Sequence, residues 1–545
     1  MPGAAEWKKR SIYQVLTDRF AKSGPIVPET KIDMSSRPYC GGTWRGIIEK
    51  LDYIQGMGFD AVWISPVTKN IEEETFWGTA YHGCWQEDMY SVNPHFGTAE
   101  DLRALSDALH ARDMYLMVDV VVNHMASTSN VDYSRYIPFN DSSYYHPKKF
   151  ITDYNDQKLV EEGWIGDGKV PLPDLDTENP TVAHTLYAWV DALVKSFNID
   201  GLRIDTVKHV PKEFWPGFVR AAGVWCVGEM LHGDPNFLGS YQPYVGGLLD
   251  YATYYPLQRA FKSRGGSMYE ITNLLRPHYR EKFKDTQQLA TFIESHDMPR
   301  FPKIVSSDVA VVENALAWTF LTDGIPLIYY GCEQYFIGPP DMTENDDQSA
   351  RQVMWDSGYK LTLLYHYLAL LNQVRKLSWN AGFGTNLATA VHTDTNIAAI
   401  RKGPLLMCLS NEGSKSPSRK VFLHTTFPNG TVLVDVLTGQ SIAVKHWTTI
   451  ILIAGEPQIY LPHSLATQVC SEIIPPPPPT NVVAKMFHRL FPANPHSGVT
   501  SWSNGTPVNT QDILKPSLID VSSGTILQPS PDSLSSPYSI FHKTA

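Results

Sequence analysis

At 545 residues the chain is long enough for about three domains, each with a sizeable core. Its 43% hydrophobic and 19% charged residues exclude a wholly disordered polymer, and a net charge of −11 offers no footprint for nucleic acid or an anionic membrane. A neutral ligand is the remaining expectation, with no nucleic-acid and no membrane partner. The first twenty residues lack the apolar run of a secretory signal, because Asp18 and Arg19 interrupt it. The longest apolar stretch, 315–330, is broken by Thr322-Asp323-Gly324, which argues against a membrane span. Six cysteines (Cys40, Cys84, Cys226, Cys332, Cys408, Cys470) show no CxxC spacing, which argues against a metal cluster or a disulfide scaffold. A monomer in the cytoplasm is expected.

In chain order, short β-branched or aromatic runs fall at 11–16, 61–65, 115–122, 201–204, 224–228, 247–251, 289–293 and 325–330, separated by helical patterns. The first connection repeats apolar residues at helical spacing over 44–54, with Thr43 as N-cap and Gly58 as stop. Eight βα units predict an α/β fold, a (β/α)8 TIM barrel over 1–124 and 177–386 with its active site at the strand C-termini. Residues 125–176 break the rhythm after strand three and read as an inserted subdomain. From 387 to 465 short strands and turns predict a C-terminal antiparallel β-sandwich domain. The stretch 466–545, with 12 prolines in its last 75 residues, predicts a disordered tail.

Polar residues at the strand ends carry the chemistry. In Gly201-Leu-Arg203-Ile-Asp205, Arg203 and Asp205 share one side of a strand. The pair reads either as a buried ion pair that closes the barrel or as an arginine favouring an ionised nucleophile. Strand five ends in Val227-Gly228-Glu229 and strand seven in Glu294-Ser-His296-Asp297, so three acids lie on three strand ends of one face. Glycosidic cleavage requires such a set: one carboxylic acid to protonate the leaving oxygen and one carboxylate to attack or assist at the anomeric carbon. Strand three ends in Asp119-Val-Val-Val-Asn123-His124, offering an amide for a metal and an imidazole for a hydroxyl.

DVVVNH, GLRIDTVKH, VGEM and ESHD, in this order at strand ends, resemble the four signature regions of the α-amylase family, glycoside hydrolase family 13. The resemblance runs from about Trp7 to Leu461, and CGGTWRGIIEKLDYIQGMGF, YHGCWQED and LPDLD are similar to secreted fungal α-amylases. It implies a retaining hydrolase of α-1,4-glucans and maltooligosaccharides. Asp205 would be nucleophile, Glu229 general acid then base, and Asp297 a holder of sugar hydroxyls. Arg203 would orient Asp205; His82, Trp85, His124 and His296 would line the subsite of the attacked sugar. Lys208 and His209 would reach the leaving-group side, and Asp347 with Arg351 the far glucose unit. The resemblance also implies a Ca²⁺ ion held by Asn123, Asp174 and the backbone carbonyls of Glu161 and His209. Two alternatives stay open: a 4-α-glucanotransferase using the same intermediate, and a non-catalytic glucan-binding protein.

Two departures from the family pattern stand out. Lys149, Gly163 and Gly239 occupy positions where the secreted enzymes carry cysteines, and Cys40 and Cys470 lack their matching partners, which points to a reducing compartment. Three Asn-x-Ser/Thr triplets (Asn140, Asn429, Asn504) lean the other way. Cys84 stands where the family has a tyrosine on which the attacked sugar stacks.

Overall fold

The computed structural model describes residues 2–24, 34–262, 265–338 and 347–472. Eight parallel strands close into a barrel in sequential order: β1 (Ile12–Gln14), β2 (Ala61–Ile64), β3 (Tyr115–Val120), β4 (Gly201–Ile204), β5 (Trp225–Gly228), β6 (Gly247–Leu249), β7 (Leu289–Thr291) and β8 (Ile325–Tyr329). All eight coincide with the runs read from sequence. Each strand is buried on both faces, between the barrel interior and the helical ring, so the runs are continuously apolar rather than alternating.

The first connection shows how local chemistry sets an element. Thr43 Oγ1 accepts the Gly46 amide at 3.0 Å, capping the helix Trp44–Glu49. The helical pattern then continues as a second segment, Leu51–Gly56, with a break at Lys50. Gly58 ends the unit at φ +80°, where a Cβ would also come within 2.8 Å of Asn372.

Between β3 and β4 lie the helix Gln157–Glu162 and the small hairpin Ile165–Gly166 with Pro171–Leu172. Their core is shared: Ile151, Val160, Ile165 and Leu172 pack with Ile71, Ala80 and Trp85 from the loop after β2.

The C-terminal part is antiparallel. A six-stranded sheet contains β9 (Thr389–Thr393), β10 (Ile397–Lys402), β11 (Leu405–Ser410), β13 (Val432–Asp435), β14 (Ser441–Ala443) and β16 (Gln458–Pro462) in the order β9-β10-β11-β16-β13-β14. It faces a two-stranded sheet of β12 (Arg419–Leu423) and β15 (Thr448–Leu452) across a core that includes Leu406, Cys408, Val421, Leu423, Ile450 and Leu452. The expected tail over 466–545 falls mostly outside the described residues. Its first positions belong to the helix His463–Glu472, whose Ala466 and Val469 are buried in the main core. Among the described residues no helix is long and apolar enough to cross a membrane.

Candidate active site

Strand register assembles the site. Asp119 on β3 lies opposite Arg203 on β4, and Ile204 lies opposite Gly228 on β5. The ladder runs one residue further, Asp205 donating its amide to Val120 O at 3.0 Å and Glu229 to Ile204 O at 2.7 Å. Both acids therefore leave the strand ends on a fixed backbone. Gly228 is required there, since a Cβ would sit 2.9 Å from Val207 Cγ2. Thr206 turns left-handed at φ 49° and aims its amide at Glu229 Oε2, 3.0 Å away.

Arg203 is the hub. Its Nη1 donates to Asp119 Oδ1 at 2.9 Å and to Asp205 Oδ1 at 2.6 Å, and Nη2 lies 3.8 Å from Glu229 Oε2. The side chains of Arg203 and Asp119 are 1% and 3% exposed, whereas those of Asp205, Glu229 and Asp297 keep 14%, 12% and 21%. A ligand can thus touch the three acids but not the two groups beneath them. Burial pushes Glu229 above the usual carboxylate range, and the charges of Asp205 and Asp297 add to the rise against the pull of Arg203. Asp297 goes the other way: burial would raise it, but His296, Arg351 and Arg203 outweigh burial and hold it far below its ordinary value. Burial also raises Asp119, which accepts from Trp63 Nε1 at 3.2 Å.

Asp297 is gripped from two sides. His296 Nε2 lies 2.9 Å from Oδ2, and Arg351 Nη2 donates to Oδ1 at 3.0 Å. Gln14 on β1 brings its amide nitrogen to 2.7 Å from His296 Nδ1, fixing the ring against Asp297. Arg351 also donates to His296 O and to the Tyr81 hydroxyl, both at 2.9 Å. It is 1% exposed, so its position is beneath Asp297 rather than at the cleft rim. Asp347 begins the short helix Asp347–Ala350, but its side chain lies outside the described residues.

The remaining sequence-derived residues divide. His124 Nε2 lies 3.3 Å from Cys84 O, and His82 Nδ1 accepts the Cys84 amide at 3.0 Å, so two imidazoles bracket the Cys84 backbone. Burial lowers the pKa of both, favouring the neutral rings. Lys208 Nζ donates to Leu231 O at 3.0 Å, and His209 is buried beside Tyr154. Trp85 is a correction: it is 2% exposed with its ring in the subdomain core among Ile71, Ala126 and Leu172. Its length and aromaticity fit a sugar platform equally well on paper, but the hairpin fold turns it inward.

Three contributors went unread in the sequence: Asp119, Trp63 and Gln14. Asp119 carried a signal, opening the motif that ends in Asn123-His124 with three valines between them.

The proposed metal site can be tested on its donors. Asn123 Oδ1 and Asp174 Oδ1 are both buried polar oxygens without a hydrogen-bond partner. Burial pushes Asp174 up to about 8 against the pull of His146, so a cation beside it would favour its ionised form. Gln157 Nε2 joins Glu161 Oε1 (2.7 Å) to Lys208 O (2.8 Å), bringing the helix that bears Glu161 against the turn that bears His209. An all-oxygen set with two orphaned acceptors fits Ca²⁺.

Comparison with known proteins agrees with this geometry. The family model "Alpha amylase, catalytic domain" matches residues 14–362, and "Alpha-amylase, domain C" matches 390–473. An α-amylase of Saccharomycopsis fibuligera is 40% identical over 474 residues, spanning 86% of this chain and 94% of its own. α-Amylase 2 of Schwanniomyces occidentalis is 43% identical, covering 85% and 92%. The solved structure of an α-amylase from Malbranchea cinnamomea superposes with a TM-score of 0.81 at 43% identity, over 85% of this chain and 98% of that one. With a closed barrel, three acids on its C-terminal face and matches through both domains, the chain belongs to the α-amylase family of glycoside hydrolases.

Proposed function

We propose that the chain is a retaining α-amylase that cleaves internal α-1,4 bonds of starch-like or glycogen-like glucans and maltooligosaccharides. The observation that carries the mechanism is the divergence of its acids: Glu229 raised, Asp297 held far down, and Asp205 tied to a buried arginine.

The chemistry runs as a double displacement. Asp205 attacks the anomeric carbon while Glu229 gives its proton to the departing glycosidic oxygen, leaving a glycosyl ester on Asp205. Water then attacks the same carbon, Glu229 takes its proton, and the ester bond breaks with the original configuration restored. Arg203 sets the angle of Asp205 through a 2.6 Å hydrogen bond, and Asp297 accepts from sugar hydroxyls near the oxocarbenium-like transition state. Asn123, Asp174 and the carbonyls of Glu161 and His209 are the residues proposed to hold calcium, which would supply fixed positive charge favouring the ionised form of Asp174. A reducing compartment, the cytoplasm, is proposed on the cysteines: Cys40, Cys84, Cys226, Cys332 and Cys408 are buried free thiols.

Incubation with maltoheptaose tests the reading. α-Configured products shorter than the input are expected, and Asp205→Asn and Glu229→Gln should each lose nearly all turnover while remaining folded. Products longer than the input in the initial phase would assign a glucanotransferase instead, and a folded variant at wild-type rate would overturn the roles.

A further inference from the structure

Beside the calcium donors lies a second group whose geometry matches no ordinary ion pair. His146 Nε2, a carboxylate oxygen of Asp176 and one of Glu178 lie within 4.8 Å of one another. Nε2 is 3.7 Å from Asp176 Oδ1 and 3.7 Å from Glu178 Oε2. Both separations exceed hydrogen-bond length, and one ring N–H could serve only one of the two oxygens. They instead approach the spacing of donors around one small divalent ion, since bonds of ~2.1 Å in a tetrahedral shell put ligand atoms ~3.4 Å apart.

The other side of the imidazole is already fixed. His146 Nδ1 lies 2.7 Å from Asp174 Oδ2, and Asp174 is 1% exposed. A buried carboxylate on one ring nitrogen, setting the tautomer and aiming the other nitrogen outward, is the support that metal-bound histidines have. The backbone is pinned as well: Leu175 N donates to Asn123 O, Asp176 N to Tyr144 O, and His146 N to Asp174 O, at 2.9, 2.9 and 3.0 Å. In that extended stretch Asp174 and Asp176, two residues apart, point to the same side. Charge adds a separate reason. Among the described residues none of Asp174, Asp176 and Glu178 forms an ion pair with lysine or arginine, so three carboxylates share one imidazole.

We propose that His146 Nε2, Asp176 and Glu178 form a second metal site, distinct from the calcium donors, that takes a zinc-class divalent ion with water in the open position. One nitrogen and two carboxylate oxygens suit such an ion better than calcium, which prefers six to eight oxygens. Glu178, 47% exposed, gives the ion a path from solvent and the small movement that closure needs. Bound there, the ion clasps the loop carrying His146 to the segment that leads into the helix Pro180–Phe197.

The test uses the full chain, stripped of metal and reloaded with saturating Ca²⁺, then titrated with Zn²⁺ alone in calorimetry and with Co²⁺ alone in visible absorption. One zinc per chain at micromolar or tighter affinity is expected, with a Co²⁺ d–d band, a raised melting temperature and no release of calcium. Glu178→Gln and Asp176→Asn should each weaken zinc at least tenfold and leave the calcium content at one per chain. Zinc binding unchanged in both variants, zinc displaced stoichiometrically by calcium, or no binding below millimolar would each overturn the proposal. If calcium is absent from the wild type but zinc still binds with the same dependence on Glu178, the calcium reading fails and the zinc site stands.

Discussion

At the scale of single residues, a few atoms decide the chemistry, and the sharpest case is Cys84. The two neighbours that could replace the missing aromatic are unavailable to a sugar: Trp85 lies in the subdomain core, and the face of Tyr81 is covered by the Arg19 guanidinium, 3.8 Å from the ring centre. Cys84→Tyr should therefore restore an apolar platform worth about 1 kcal/mol at ~25 cal/mol per Å², or roughly a fivefold rise in kcat/KM for maltopentaose. A folded variant with equal or lower efficiency would show that the site has no room for the ring. A second prediction concerns proton balance. Glu229 must be protonated to act as acid, so kcat/KM should fall as pH rises through its pKa, which burial has lifted. The Asp297 carboxylate contributes to that lift; Asp297→Asn removes the contribution while burial persists, so the alkaline limb of the residual activity should move to lower pH. A limb that stays put or moves upward would mean that Asp297 does not act on Glu229 electrostatically.

At the scale of elements, legibility followed the strength of local patterning. The barrel strands were readable because burial on both faces makes them nearly continuous apolar runs, and Asp205 and Glu229 because they sit one residue past those runs. The strands β9, β12, β14 and β16 were not: exposed Arg419 and Lys420 on β12 and Ser441 on β14 dilute the pattern, and β12 and β16 pair with β15 and β11, which are distant in sequence. Trp85 illustrates the same limit, since whether an aromatic faces a cleft or a core depends on packing against residues 60 to 90 positions away, among them Ile151 and Leu172. Asp174 was legible only through the family motif, and the structure supplies a physical reason for it in its orphaned oxygen. A bound cation should then stabilise the subdomain by mass action, about 2.7 kcal/mol at a hundredfold excess over Kd. Exhaustive chelation should lower the melting temperature of the wild type, and Asp174→Ala should start lower and respond no further. A chelation shift of equal size in both proteins would remove Asp174 from the site.

At the scale of the whole molecule, the barrel and the C-terminal sandwich are joined by buried polar contacts that only work if both are folded. Asn314, fully buried on the barrel helix Val309–Leu321, accepts the Ser410 amide at the end of β11 at 2.7 Å. Its Nδ2 donates to Gly455 O, also at 2.7 Å, in the loop between β15 and β16. One side chain thus satisfies an amide and a carbonyl from two separate parts of the sandwich. Asn411 extends the seam by donating to Ala260 O on the barrel side at 2.9 Å. Truncating Asn314 to Ala strands both backbone groups away from water, at about 1–3 kcal/mol each, and leaves a small cavity besides. Asn314→Ala should therefore lose about 2–5 kcal/mol in denaturant unfolding. The active-site acids stand on β4, β5 and β7, and no hydrogen bond of Asn314 reaches them, so kcat at a temperature where the variant is folded should stay at the wild-type level. A loss below 1 kcal/mol would mean that water replaces both bonds and that the seam is held by its apolar contacts alone. A large fall in kcat in the folded variant would instead show that the sandwich sets the geometry of the catalytic face.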